Sequence, residues 1–171
     1  MTLLIGGGSC SGKSTLARAI SAETGWPVIH LDAFFRRGQL GAPMIEIDGE
    51  SVFDCNHPDT IDLKSALEAI RKTPEPRIIE GHFALTYPEL RELATQSVFV
   101  DCPAEIREAR RLARDCPSKG TEAQVLAYYR ACAVPGFEKY IWPSRQHADL
   151  VVDGSSAAMP HLESLTKILS I

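Results

Sequence analysis

What this chain of 171 residues lacks narrows its function first. No apolar run is long enough to span a bilayer, so a helical membrane protein is not expected. Strong charge of either sign is missing as well. The net charge of −4 is mild and argues against nucleic acid or an anionic membrane surface as the partner. Five cysteines (Cys10, Cys55, Cys102, Cys116 and Cys132) form no C-x-x-C pair, and an odd number makes a poor disulfide framework. No histidines and cysteines stand at zinc-ligand spacing. Reduced thiols are therefore expected, and with them a cytoplasmic setting. Internal repeats and low-complexity tracts are absent too. What remains is one domain, residues 1–171, with a core large enough to be stable unaided.

Against that background one stretch stands out. Gly7-Gly8-Ser9-Cys10-Ser11-Gly12-Lys13-Ser14-Thr15 fits G-x-x-x-x-G-K-[ST], the Walker A phosphate loop. Thr2-Leu3-Leu4-Ile5 before it reads as a buried strand, and Thr15-Leu16-Ala17-Arg18-Ala19-Ile20 after it reads as a helix. Glycines let the backbone curl its N–H groups around phosphate oxygens, and the helix N-terminus adds a favourable dipole. Lys13 can neutralise the terminal phosphates and Ser14 can hold Mg²⁺, so ATP and Mg²⁺ are the expected cofactors. The loop lies so near Met1 that no signal peptide is expected ahead of it.

Along the chain, strands and helices alternate. Helix from Ser14 to about Glu23 stops at Gly25, and Pro27–Leu31 forms a strand ending at Asp32. Strand, helix and strand this close together imply a right-handed crossover in a parallel sheet, whose ligands bind beyond the carboxyl ends of the strands. Residues 36–58 read as a loop or short hairpin, of the kind that often contacts substrate. A helix is expected from Asp59 or Thr60, with Leu63, Ala66, Leu67 and Ile70 on its buried face. Strands follow at Arg77–Gly81, Ser97–Asp101 and Asp149–Val152, with helices at about 88–94, 103–116, 121–132 and 159–169. Pro135-Gly136 is expected to break the helix before it. The fold class is a three-layer α/β sandwich on a five-stranded parallel sheet.

The 103–116 helix carries Arg107, Arg110, Arg111 and Arg114 at i, i+3, i+4 and i+7, on one face. Ile106, Ala109, Leu112 and Ala113 are expected to pack the opposite side on the domain. No acid is counted within the stripe. A solvated basic face is the plain alternative to a lid or phosphate clamp.

Phosphoryl transfer needs charge neutralisation and a group to orient or deprotonate the attacking hydroxyl. Asp32, read as one strand from the phosphates, is the candidate base. Glu80 is a candidate for Mg²⁺ or a substrate hydroxyl, and either acid could instead cap a helix. His57 and His82 sit where substrate contact and local hydrogen bonding are both open. Phe34 and Phe35 could line a substrate pocket or the core. Cys10 lies in the phosphate loop with no base in sight to make it a nucleophile.

Several blocks together resemble the uridine kinase-like family of nucleoside kinases with a phosphate loop. They are Gly7–Thr15, His30-Leu31-Asp32-Ala33-Phe34-Phe35-Arg36, His57-Pro58-Asp59, Ile79-Glu80-Gly81, Arg107-x-x-Arg110-Arg111-x-x-Arg114-Asp115, and Pro135–Ser144 running into His147-Ala148-Asp149. The resemblance covers nearly the whole chain. It implies a kinase with a helical lid at about 103–136, passing the ATP γ-phosphate to the 5′-hydroxyl of a nucleoside. On it, Asp32 matches the catalytic base and a metal-site neighbour, with Lys13, Arg111 and Arg114 catalytic. Ser14 and Glu80 match the magnesium site. Phe35, Asp54, Asn56, His57, His82 and Arg110 fall on the acceptor side.

The chain also departs from that family. Pro74-Glu75-Pro76 replaces the hairpin that helps hold a pyrimidine, Thr121 follows Gly120 where a base-contacting arginine is usual, and Asp54-Cys55-Asn56 replaces a Phe-Asp pair. Nicotinamide riboside kinase, a related branch, shares Asp-x-Phe-Phe and Trp-Pro but usually has an aspartate where Ala33 stands. A nucleotide-controlled switch is the reading from another class; neither [NT]-K-x-D nor Leu-Ser-Gly-Gly-Gln is present. The expected partner is thus a small-molecule phosphate acceptor. A homo-oligomer stays open, since an interface patch looks like core in sequence.

Overall fold

The computed structural model describes residues 1–156. The expected closing helix at 159–169 lies outside them. Five parallel strands form the sheet: β1 (Thr2–Gly7), β2 (Val28–His30), β5 (Arg77–Glu80), β6 (Gln96–Asp101) and β7 (Leu150–Asp153), in the order β2-β5-β1-β6-β7. A separate antiparallel hairpin, β3 (Met44–Ile47) and β4 (Glu50–Phe53), resolves the loop-or-hairpin expectation for 36–58. The order corrects one distance in the sequence reading: β5 lies between β1 and β2, so Asp32 is two strands from the phosphate loop. Nearness in sequence misled because a crossover can skip a strand, and the skipped place was filled later by β5.

Alternation along β1 sorts the core into two layers. Leu3 and Ile5 pack with Ile78, Val98 and Val100 against Leu16, Ala17 and Ile20 of helix α1 (Lys13–Thr24). Leu4 points the other way, with Ile79 and Phe99, against Ala66 and Ile70 of α2 (Leu63–Lys72) and Leu90 of α3 (Pro88–Leu93). Each fully buried Leu or Ile contributes about 1.5–3 kcal/mol of transfer free energy, so the strand carrying the phosphate loop is anchored on both faces of the sheet. The start of α2 falls later than expected: Pro58–Thr60 is a 3-10 turn, and Asp62 caps the helix by accepting from Ser65 N at 3.0 Å.

Helix α4 (Ala104–Lys119) reverses the expected facing. Arg107 and Arg111 of its arginine side are buried and Arg110 half-buried, while on the apolar side Ala109 and Ala113 are exposed and Ile106 and Leu112 only half-buried. The reason is that α4 covers the phosphate loop, a polar surface, rather than a hydrophobic layer. Asp115, at i+4 from Arg111, supplies the acid that the stripe was read as lacking.

After α5 (Glu122–Tyr128) the chain stays helical through Pro135-Gly136, contrary to the expected break. Wide turns at Tyr129–Ala133 and Phe137–Ile141 flank the proline and re-space the carbonyls around its missing N–H. Gly136 has a packing reason as well. A β-carbon there would stand 2.5 Å from the Asn56 carbonyl oxygen.

Candidate active site

The strand order reverses at β1, which sends the chain to β2 on one side and has β6 on the other, so the crevice beyond its carboxyl end is the natural ligand site. The phosphate loop fills that position. Ser11 N donates to Gly8 O at 3.2 Å, Cys10 adopts a left-handed φ of 62°, and Lys13 curls back to within 3.5 Å of the Gly8 carbonyl. A cavity of about 480 Å³ opens over the loop, lined by Cys10, Lys13, Ser14, Arg110, Arg114 and Gly154.

Glu80 at the end of β5 stands beside this loop. Its two carboxylate oxygens each accept from Ser14 Oγ at 3.2 Å, and one lies 2.6 Å from His30 Nδ1. Ser14 and Glu80 are hard oxygen donors in contact beside the phosphate loop, a set that fits Mg²⁺. His30 was not singled out by sequence reasoning; a polar residue in the apolar run leading to Asp32 was the available signal.

Asp32 is exposed just past the end of β2. His82 is buried with Nδ1 unpartnered, and its pKa is pushed down to about 4. Burial is the main cause; the charges of Lys13, Arg111 and Arg114 add to it and Asp32 opposes it. Four charged groups from three parts of the chain therefore act on one buried imidazole.

The arginines of α4 divide their tasks. Arg107 donates to Cys102 O at 3.0 Å and lies 3.8 Å from the Phe137 ring centroid, so it is a packing residue. Arg110, expected toward the acceptor, instead serves the phosphate-loop cavity. It donates to the carbonyls of Gly154 at 2.7 Å, Ser155 at 2.8 Å and Cys10 at 3.3 Å. Arg111 donates to Ser9 Oγ at 2.9 Å and pairs with Asp115 at 2.5 Å. Arg114 pairs with the same carboxylate at 2.8 Å and reaches the cavity.

A second cleft of about 660 Å³ lies between the β3–β4 hairpin and helices α4 and α5, lined by Arg37, Glu50, Phe53, Cys55, Arg111 and Tyr128 among others. Tyr128 donates to Phe53 O at 2.9 Å, accepts from Cys55 N at 3.1 Å, and has its phenol pKa raised, chiefly by burial. Phe35 stacks edge-on to Phe53 with centroids 6.0 Å apart, and Arg37 covers the Phe53 face at 4.7 Å. The residues expected on the acceptor side are less uniform. Asp54 accepts from Asn56 N at 2.9 Å, and Asn56 is buried against Gly136 with its Oδ1 unpartnered. His57 accepts from Asp59 N at 3.2 Å and meets the Tyr140 ring, the local turn role left open in the sequence.

A phosphate loop at the switch point of a five-stranded parallel sheet, roofed by an arginine-bearing helix, is the architecture of a P-loop kinase. Shikimate kinase from Bacteroides thetaiotaomicron shares it, with a TM-score of 0.68 at 16% identity over 100% of this chain and 99% of that one. The chain belongs to the phosphoribulokinase / uridine kinase family, which residues 68–158 match. It is 32% identical over 185 aligned positions to the uridine kinase of Shewanella oneidensis, covering 88% of this chain and 85% of that protein. Uridine-cytidine kinase-like 1 of Mus musculus is 30% identical over 183 positions, covering 89% of this chain and 33% of the mouse protein. Among the described residues no helix is long and apolar enough to cross a membrane.

Proposed function

We propose that the protein is an ATP-dependent kinase that transfers the γ-phosphate to the 5′-hydroxyl of a nucleoside. The observation that carries this reading is the meeting of the phosphate loop, the Ser14–Glu80 contact and the α4 arginines at one sheet edge, beside a separate cleft. Lys13 and the loop N–H groups bind the phosphates, and Arg111 and Arg114 neutralise charge as the phosphoryl group leaves. Asp32 takes the proton from the acceptor hydroxyl. Ser14 and Glu80 would hold Mg²⁺, which when bound supplies further charge neutralisation on the phosphate oxygens. The hairpin cleft takes the nucleoside, with Phe53 and Tyr128 as its aromatic walls.

The proposal is tested by a panel of uridine, cytidine, nicotinamide riboside and simple sugars with Mg-ATP, following ATP consumption. A kinase of this kind consumes ATP in proportion to one added nucleoside and turns over slowly without it. Asp32→Asn is expected to remove most turnover and leave ATP affinity nearly intact; near-normal kcat would show that Asp32 is not the base. Nicotinamide riboside is the second reading. It is favoured by the connection from α2 to β5, where only residues 73–76 stand and there is no hairpin to hold a pyrimidine. Turnover with it and none with uridine or cytidine would decide in its favour.

A further inference from the structure

One carboxylate at the hairpin cleft meets three cations, one of which reaches into the phosphate-loop cavity. Asp115 is 2% exposed, and its oxygens lie 2.5 Å from Arg111 Nε, 2.8 Å from Arg114 Nε and 3.0 Å from Lys119 Nζ. A second Arg114 nitrogen, Nη2, bonds the other oxygen at 3.2 Å, which makes that contact a fork. Arg114 lines the cavity over the phosphate loop, whereas Arg111, Asp115 and Lys119 line the hairpin cleft. Arg111 is anchored at its other end to Ser9 of the loop at 2.9 Å.

We propose that Asp115 is a positioning residue for phosphoryl transfer. It holds Arg111 and Arg114 preformed at the junction of the two cavities, before either substrate binds. This rests on the kinase reading above. The physical case is entropic and electrostatic. A free arginine side chain has many rotamers to lose when it engages a phosphate, and holding it in advance removes that cost from the reaction step. A buried carboxylate also lets two guanidinium groups stand side by side that would otherwise repel. Burial works against the charge of Asp115, but hydrogen bonds from Arg114 and Lys119 and the Arg111 charge outweigh it and hold the carboxyl well below the usual range. The group is therefore ionised at neutral pH.

The test compares wild type, Asp115→Asn and Asp115→Glu, with thermal melting to confirm folding. With the acceptor found by the panel, Asp115→Asn is expected to lower kcat about 10- to 100-fold, the scale of a small misplacement of reacting groups. KM for ATP should move less than about threefold, and Asp115→Glu should restore most of the rate. Unchanged kcat in a folded Asp115→Asn protein overturns the proposal, as does a higher ATP affinity at full rate, which would make Asp115 a competitor of the phosphates.

A measurement on wild type needs neither variant nor acceptor. The Nε–H signals of Arg111 and Arg114 in a nitrogen-15 NMR spectrum should be resolved and slow to exchange in the ligand-free protein. Signals averaged by free rotation would overturn the proposal even if the kinase reading stands. Failure of every acceptor to support turnover would instead count against the kinase reading.

Discussion

Gly154 offers the sharpest structural prediction. It follows β7 and lies against the phosphate loop: a β-carbon on it would stand 2.0 Å from the Ser11 carbonyl oxygen, 2.6 Å from Val100 Cγ1 and 3.1 Å from the Asp101 carbonyl oxygen. An ordinary C···O approach is about 3.3 Å, so Gly154→Ala forces the two backbones apart by roughly 1 Å. Rotation away is blocked from both sides. Gly154 N–H donates to Asp101 O at 2.6 Å, and its carbonyl accepts from Arg110 at 2.7 Å. Overpacking of this kind costs about 1–3 kcal/mol, and loss of a hydrogen bond from a charged donor adds about 1.5–3 kcal/mol if the strand end moves. The strain has two outlets, displacement of the end of β7 or displacement of Ser11 within the phosphate loop. Urea melts with and without Mg-ATP separate them. The expected result is a stability loss of about 2–4 kcal/mol, together with ATP affinity weakened by about tenfold or more. A variant that loses less than about 0.5 kcal/mol and binds ATP normally would refute the argument that this contact holds the loop in place.

Other substitutions probe other parts of the site. Lys13→Ala should weaken both ATP binding and turnover, measured by calorimetry and ATP consumption; unchanged values would count against the phosphate-loop assignment. Gly136→Ala should destabilise the protein by about 1–3 kcal/mol in a urea melt, because its β-carbon meets the Asn56 backbone at 2.5 Å. Leu4→Ala, deleting a fully buried side chain in β1, should cost about 2–5 kcal/mol by the same assay. The Asp115 cluster predicts a pH dependence. Because the folded carboxyl lies below its unfolded value, its contribution to stability is complete above about pH 4 and is lost as pH falls through the folded pKa. Asp115→Asn should therefore flatten the acid limb of a stability-against-pH curve, and an unchanged slope would argue that other carboxyls carry it.

The phosphate loop, the alternating strands and Glu80 beside the loop were legible because each depends on local pattern: a glycine-rich turn between strand and helix, and acids at strand ends. The facing of α4 was not legible from periodicity, which locates the apolar stripe but not the surface it meets. Here the arginine side met a polar loop, and on the apolar side Ala109 and Ala113 were left toward solvent. Pro135-Gly136 looked like a stop because proline removes a donor and glycine loosens a helix. Widened turns on both sides absorbed the first effect, and the glycine was required by Asn56 rather than by the helix. His57 carried both of its open roles in the sequence, and the fold adds its contacts with Asp59 N and the Tyr140 ring.

By itself the sequence determined that Gly7–Thr15 forms a glycine-rich loop between strand and helix and that a five-stranded parallel sheet presents it, since backbone geometry and strand periodicity are encoded within a few residues of each position. Tertiary structure alone decided which groups meet there. It put β5 between β1 and β2, brought His30 onto Glu80, turned Arg110 toward Gly154 and gave Asp115 two arginines to hold. Those outcomes depend on strand order and helix rotation, which are set by burial summed over the whole chain and are written in no single stretch of it.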